Sequence, residues 1–166
     1  SLQDLRANTI CNKIIEVFEK KKIPFLKTTD ILKRFVAPKG NLTSNKPSKN
    51  VKDDIEFGSK IAKELGRLDI GQCVVVKNKS VVAIEAMEGT DRCIQRAGDI
   101  AGAGCVVVKV AKPDQDMRYD VPIVGVNTIE KLIKIKAAAI AIEAHKTLII
   151  EPEAQELAKK EGISIF

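Results

Sequence analysis

Two short runs constrain this chain most: Cys73-Val74-Val75-Val76 and Cys105-Val106-Val107-Val108. Consecutive β-branched residues crowd a helix and suit a pleated strand. With no polar alternation, such a run reads as a strand covered on both faces, and the cysteine that opens it as a buried strand residue. The pattern around them alternates. Spans 72–76 and 80–86 flank Lys77-Asn78-Lys79 and predict a hairpin. Thr90 is placed to cap a helix over 91–101, followed by a strand over 105–110 and a polar loop over 111–121. Thr128 is placed to cap a helix over 129–136, and strands follow over 139–143 and 147–150. Pro152 suits the first turn of a helix over 153–160, Gly162 ends it, and 163–166 reads as a last strand. Strand and helix in alternation predict an α/β fold, with a mixed, largely parallel sheet and helices packed on its faces.

The first third reads differently. Ile10, Ile14, Ile15 and Phe18 recur at helical spacing and predict a helix over 8–22, stopped by Ile23-Pro24. Thr28-Thr29-Asp30 starts a short helical piece over 31–36. Pro38, Gly40 and Pro47 mark a loop over 37–50. Ser48 or Asn50 then caps a helix over 51–65, with Gly66 as its C-cap glycine.

At 166 residues and 45% apolar, the chain suits one domain over 1–166 with a core that needs no disulfides. No apolar run approaches the roughly 20 residues a bilayer span needs, and the opening residues do not resemble a signal peptide. The four cysteines make no C-x-x-C pair, so a reduced, cytoplasmic compartment is expected. The net charge of +6 lies wholly in the first 60 residues, which hold 13 Lys and Arg against 7 Asp and Glu. Basic excess attracts nucleic acid or anionic membrane surfaces. With five Phe, one Tyr and no Trp, the chain lacks the interleaved aromatics that stack bases, so no nucleic-acid partner is expected.

Three segments combine polar chemistry with a predicted strand end, the place where ligands bind in open α/β sheets. The densest follows the strand at 105–110. It sets Asp114, Asp116 and Asp120 beside Lys109, Lys112 and Arg118. Hard cations such as Mg²⁺ take one or two carboxylates and fill their shell from water and phosphate oxygens, while Lys and Arg grip phosphate. On composition alone, the same loop reads first as a solvated surface with local Asp–Lys pairs. The second segment carries Glu85, Glu88, Thr90 and Asp91; a carboxylate at Glu85, ending an apolar strand, calls for a cation partner, either Lys, Arg or a metal. The third is Glu143-Ala144-His145-Lys146. His145, the single histidine, reads as packed or exposed rather than catalytic, and Lys146 as a partner for phosphate or carboxylate. No P-loop, dinucleotide fingerprint, H-E-x-x-H or G-x-S-x-G motif is present.

In order along the chain stand Leu68-Asp69-Ile70-Gly71-Gln72-Cys73, Ala83-Ile84-Glu85-Ala86-Met87-Glu88-Gly89-Thr90-Asp91, Val108-Lys109, Lys112-Pro113-Asp114-Gln115-Asp116-Met117-Arg118-Tyr119-Asp120-Val121-Pro122 and Glu143-Ala144-His145-Lys146-Thr147-Leu148. This ordered set, from about Leu5 to Ile165, resembles the C-terminal domain of the UDP-2,3-diacylglucosamine pyrophosphatases of the lipid A pathway, the class unrelated to calcineurin-like phosphoesterases. The resemblance implies Mg²⁺-dependent attack of water on the α-phosphorus of UDP-2,3-diacylglucosamine, giving UMP and 2,3-diacylglucosamine 1-phosphate (lipid X). It implies Asp116 and Asp120 as catalytic and metal-binding, and Glu85, Glu88 and Asp91 as further metal or water-orienting groups. Lys109, Lys112, Gln115, Arg118, Thr90 and Lys146 are the implied substrate contacts. It also implies a two-domain protein whose N-terminal domain is absent here. The other implied partners are the UDP-linked lipid, transient contact with the inner membrane surface and, among oligomeric states, a homodimer. The alternative is an isolated, non-catalytic domain that binds a nucleotide-sugar or phosphate. The family often has Gly where Asp114 and His145 stand; a glycine there can adopt a positive φ or let a ligand approach, and the larger side chains here alter one or the other.

Overall fold

The computed structural model describes residues 7–43 and 46–166, with side chains from residue 10 onward. Residues 1–6, and Ser44 and Asn45 of the early loop, fall within the expectations above and lie outside the described residues. The elements are α1 (Ala7–Lys20), α2 (Thr28–Ile31), a 3₁₀ turn (Lys33–Phe35), α3 (Lys49–Arg67), β1 (Cys73–Lys77), β2 (Ser80–Ile84), α4 (Thr90–Ala101), β3 (Val106–Lys109), β4 (Ile123–Val124), α5 (Val126–Lys134), β5 (Ala139–Ile142), β6 (Leu148–Ile149), α6 (Pro152–Lys160) and β7 (Ser164–Ile165).

Five strands form the main sheet in the order β2-β1-β3-β5-β7. β1 pairs antiparallel with both β2 and β3, while β3–β5 and β5–β7 are parallel. Strands β2, β3, β5 and β7 therefore run one way and β1 alone runs against them. Each step between successive same-direction strands is bridged by a helix, α4, α5 and α6 in turn, because a parallel crossover is too long for a tight turn. The expected mixed sheet with helices on its faces is what forms.

The strand pleat separates two cores. On one face Cys73, Val75, Val107, Ile140 and Ile165 meet Ile94 of α4, Leu132 of α5 and Ala158 of α6. On the other, Val74, Val76, Val106 and Val108 meet Ile55, Ala62 and Leu65 of α3. Gly58 lets α3 lie close there: a Cβ would come within 2.8 Å of a Val108 methyl. The hairpin turn is Asn78-Lys79, both left-handed at φ 51° and 57°, the form that fits strand twist in a two-residue turn. Its amides are held by the buried carboxylate of Asp54 on α3, at 2.9 and 2.6 Å.

Several sequence expectations need correction. Ser48, not Asn50, caps α3, accepting the Val51 amide at 3.3 Å. Gly66 lies inside α3 rather than beyond its end. The 112–113 backbone passes so close that a Cβ at Gly66 would sit 3.4 Å from the Lys112 Cα, and left-handed Asp69 (φ 55°) follows the helix instead. Thr90 does not cap α4. Gly89 (φ 81°) takes that position, and the Thr90 hydroxyl turns to Glu85. Thr128 does not cap α5 either; the helix starts earlier, at Val126, and its first amide is met by the Glu151 carboxylate at 2.6 Å. The strand at 147–150 forms but leaves the main sheet: β6 pairs in parallel with the short β4, which falls beyond the predicted loop. The helical piece expected over 31–36 begins at Thr28 and passes into the 3₁₀ turn. Among the described residues no helix is long and apolar enough to cross a membrane.

Candidate functional site

Because β2, β3 and β5 run the same way, the three polar segments that follow them leave from one edge of the sheet. Gln72, entering β1 at that edge, ties two of them together. Its amide donates to a Glu85 oxygen at 3.3 Å, and its carbonyl accepts the Val110 amide at 2.9 Å. Glu143 ties the loop after β3 to the segment after β5, accepting the Ala111 amide at 2.9 Å.

A cleft of about 290 Å³ opens at this edge between α3 and the ends of β3 and β5. Ile55, Val108, Ala141 and Phe166 give it an apolar wall, while Lys63, Lys109 and Glu143 bring charge. Glu143 accepts from Lys63 Nζ and from Lys146 Nζ, the latter at 3.0 Å. Burial pushes the Glu143 carboxyl up, but the two ammonium groups and the Ala111 amide outweigh it and hold it below its ordinary value. Lys109 is buried, at 8% exposure. Its ammonium donates to the Ile123 carbonyl at 3.0 Å, and among the described residues no carboxylate pairs with it. An ammonium has three donors, and a buried cation without a counter-ion is costly. Lys109 thus leaves positive charge unmatched among the described residues at the end of β3, which favours an anionic ligand.

The other predicted phosphate-binding cations are engaged. Lys112 pairs with Asp69 at 2.6 Å. Arg118 forks onto Asp116, with Nε and Nη2 at 2.6–3.0 Å, and reaches Glu19 of α1 at 2.7 Å. The Arg118 amide also donates to Asp116, at 2.9 Å. Asp116 therefore accepts four hydrogen bonds, about as many as a carboxylate has lone-pair sites. Those bonds hold its carboxyl below the ordinary aspartate value, and they raise the Arg118 guanidinium further. The loop is moored from outside as well. The Thr28 amide and hydroxyl donate to the Met117 and Arg118 carbonyls at 2.9 and 2.8 Å, and the Tyr119 hydroxyl to Asn12 at 3.1 Å.

The remaining predicted residues sit in separate pairs. Glu85, also buried, accepts the Thr90 hydroxyl at 2.7 Å. Glu88 binds Arg96 at 2.6 Å, which holds its carboxyl below the usual range. Asp91 accepts from Asn127 at 2.6 Å. Gln115 accepts the Lys112 amide at 2.8 Å, while its buried side-chain nitrogen has no partner among the described residues. Asp120 is half-buried and its carboxylate accepts no bond from the described residues. No three Asp, Glu, His or Cys side chains among the described residues gather as a metal cage. A divalent cation is thus offered one or two carboxylates at most, the number Mg²⁺ takes when phosphate oxygens complete its shell. Asp120 is open for this; Asp116 becomes so only when Arg118 moves off it.

His145 is exposed and left-handed at φ 64°, with its amide donating to the Ala37 carbonyl at 2.9 Å. Asp114 is not left-handed. Sequence reasoning missed Lys63 and gave Glu143 no role. The clue was helical spacing: Lys63 stands four residues after Ser59 and eight after Ile55, in line with the buried side of α3.

A family model described as the LpxI C-terminal domain matches residues 38–166. A relative from Caulobacter vibrioides, named UDP-2,3-diacylglucosamine pyrophosphatase LpxI, is 32% identical over 168 residues. The alignment covers 96% of this chain and 59% of that relative, so the chain spans well under two thirds of the relative's length.

Proposed function

The chain belongs to the LpxI C-terminal domain family, and from that premise we propose that it carries the phosphate-gripping half of a hydrolase that splits the diphosphate of UDP-2,3-diacylglucosamine. Water adds to the α-phosphorus, the bond to the bridging oxygen breaks, and UMP and 2,3-diacylglucosamine 1-phosphate leave. The observation that carries this reading is Lys109, a buried ammonium at the end of β3 with which no carboxylate among the described residues pairs.

Phosphoanhydride cleavage needs little covalent chemistry from a protein. It needs the diphosphate fixed and its developing charge met by preorganised cations. Lys63 meets phosphate at the cleft, and Lys109 meets it from the end of β3. Arg118 exchanges Asp116 for phosphate oxygens, which suit its planar fork equally well. That exchange opens Asp116 beside Asp120 to orient the attacking water, and Gln115 donates its free amide hydrogen to the ligand. Asp116 and Asp120 are also the residues that would hold Mg²⁺, which when bound offsets phosphate charge and lowers the pKa of a coordinated water. Ala111 and Glu143 keep Lys63 in place.

A second reading is favoured by the chain's coverage of only 59% of its relative: a domain that binds the nucleotide-sugar without turnover. One assay separates the two. UMP release from UDP-2,3-diacylglucosamine by this chain, with Mg²⁺ and lost on adding EDTA or with Asp116→Ala, is the expected result. Thermal stabilisation by UMP without release would favour binding alone. Neither release nor stabilisation would refute both.

A further inference from the structure

Two cysteines with no part in the chemistry above lie side by side under the edge of the sheet. Cys73 opens β1, and Cys93 stands in the first turn of α4. Both are fully buried, in the same core. The backbone brings them together. The Cys73 carbonyl accepts the Glu85 amide at 3.0 Å, and the Glu85 carboxylate accepts the Thr90 hydroxyl at 2.7 Å. This chain of bonds ties the start of α4 to the start of β1. Residues three apart share one side of a helix, so Cys93 follows Thr90 down onto Cys73. The two thiols share a hydrogen bond, donated by Cys73. Cys105, equally buried, instead spends its thiol on the Gly102 carbonyl at 3.3 Å.

Two thiols in contact are one oxidation away from a disulfide, whose sulfurs stand about 2.05 Å apart. Here that bond would join a strand to a helix and close the loop over residues 73–93. The way in is the start of α4. Gly89, at φ 81°, precedes the helix, no side chain caps it, and Met87 just before it is fully exposed. A helix end held so lightly is where local opening begins. Opening there uncovers Cys93 first, and Cys73 stays on its strand. That order sets the chemistry. The Cys93 sulfur takes an oxygen from a peroxide and water leaves. The Cys73 sulfur then attacks the Cys93 sulfenic acid, the S–S bond forms and a second water leaves. Two thiols and one hydrogen peroxide thus give one disulfide and two waters.

We propose that Cys73 and Cys93 are a redox pair, whose reversible disulfide locks the first turn of α4 onto β1 and with it the Glu85–Thr90 contact at the sheet edge. The pair does not rest on the reaction proposed above and is tested without any substrate. The folded protein is treated with hydrogen peroxide, its remaining thiols are alkylated, and it is digested with trypsin, which separates the two cysteines at Lys77 and Arg92. Expected is one linked peptide carrying Cys73 and Cys93, restored to two by dithiothreitol, with Cys105 still open to alkylation. Because the bond closes a loop, the oxidised protein should unfold at higher urea than the reduced one. Cys93→Ser, checked for its fold by circular dichroism, should show neither the link nor the shift. Cys73 and Cys93 still reduced when half-exposed Cys11 has been oxidised would overturn the proposal. So would a link that forms only in urea, or a linked protein that unfolds no later than the reduced one.

Discussion

Lys109 shows most sharply how one side chain can serve binding at the expense of folding. Among the described residues its buried ammonium bonds one carbonyl and no carboxylate, so in the absence of an anion it costs stability. Lys109→Met, which keeps the stem and removes the charge, should raise stability by about 1 kcal/mol in chemical denaturation. It should weaken UMP binding by about 2 kcal/mol or more, roughly thirtyfold. A variant that binds UMP as well as the parent would remove Lys109 from the site. The sequence named Lys109 correctly as a cation at a strand end. Lys146 and Arg118 turn to nearby Glu143 and Asp116, the local pairing a charged loop allows, whereas Asp69 and Glu19, which meet Lys112 and Arg118, come from distant positions that local sequence does not reveal. Lys63 and Glu143, 80 residues apart, were hidden for the same reason.

Among the elements, the β1–β2 hairpin and α3 form one unit. Asp54 holds both turn amides, so α3 fixes where the hairpin ends, and Gly58 fixes how closely the helix lies on β1 and β3. Asp54→Ala should destabilise the protein by about 2 kcal/mol, measured by denaturant midpoint, and Asp54→Asn, with one carbonyl oxygen left to accept, by less. Equal losses in the two variants would show that packing, not the turn amides, carries the effect. Element types were legible in the sequence because β-branched runs and helical periodicity are local signals. Helix starts were less so. Thr90 and Thr128 are good capping residues by type, yet Glu85 draws the hydroxyl of one and Glu151 supplies the first amide contact of α5. A tertiary partner outcompetes a local preference of about 1 kcal/mol without leaving a trace in the neighbouring sequence.

For the whole molecule, two carboxylates at the site edge make stability depend on acid. Arg118 holds Asp116 below its ordinary 3.8. Burial works against Glu143, but Lys63, Lys146 and the Ala111 amide bring it below 4.5. Groups with depressed folded values bind fewer protons than the unfolded chain. Their contribution is complete above the ordinary carboxylate range and is lost as pH falls through the lower folded values. Denaturation at about pH 7 and about pH 3 should show a larger acid loss for the parent than for Asp116→Asn with Glu143→Gln. Equal losses would place the acid sensitivity elsewhere. Four strands in one direction with helical crossovers were foreseeable from alternation alone. That β1 runs against β2 followed from the expected hairpin; that it sits between β2 and β3 did not, since neighbour choice depends on pairings that local sequence does not encode.

The mooring of the 112–122 loop has a practical corollary. The stretch that matches the family begins at residue 38, yet Glu19, Thr28 and Asn12, which hold Arg118, Met117 and Tyr119, all precede it. The border recognised by similarity therefore cuts through a working part. A shortened protein starting at residue 38 would keep every strand of the sheet but release the guanidinium of Arg118 from one of its two carboxylates. Anyone trimming, fusing or transplanting this fold should treat residues 12–28 as the handle by which the loop is held.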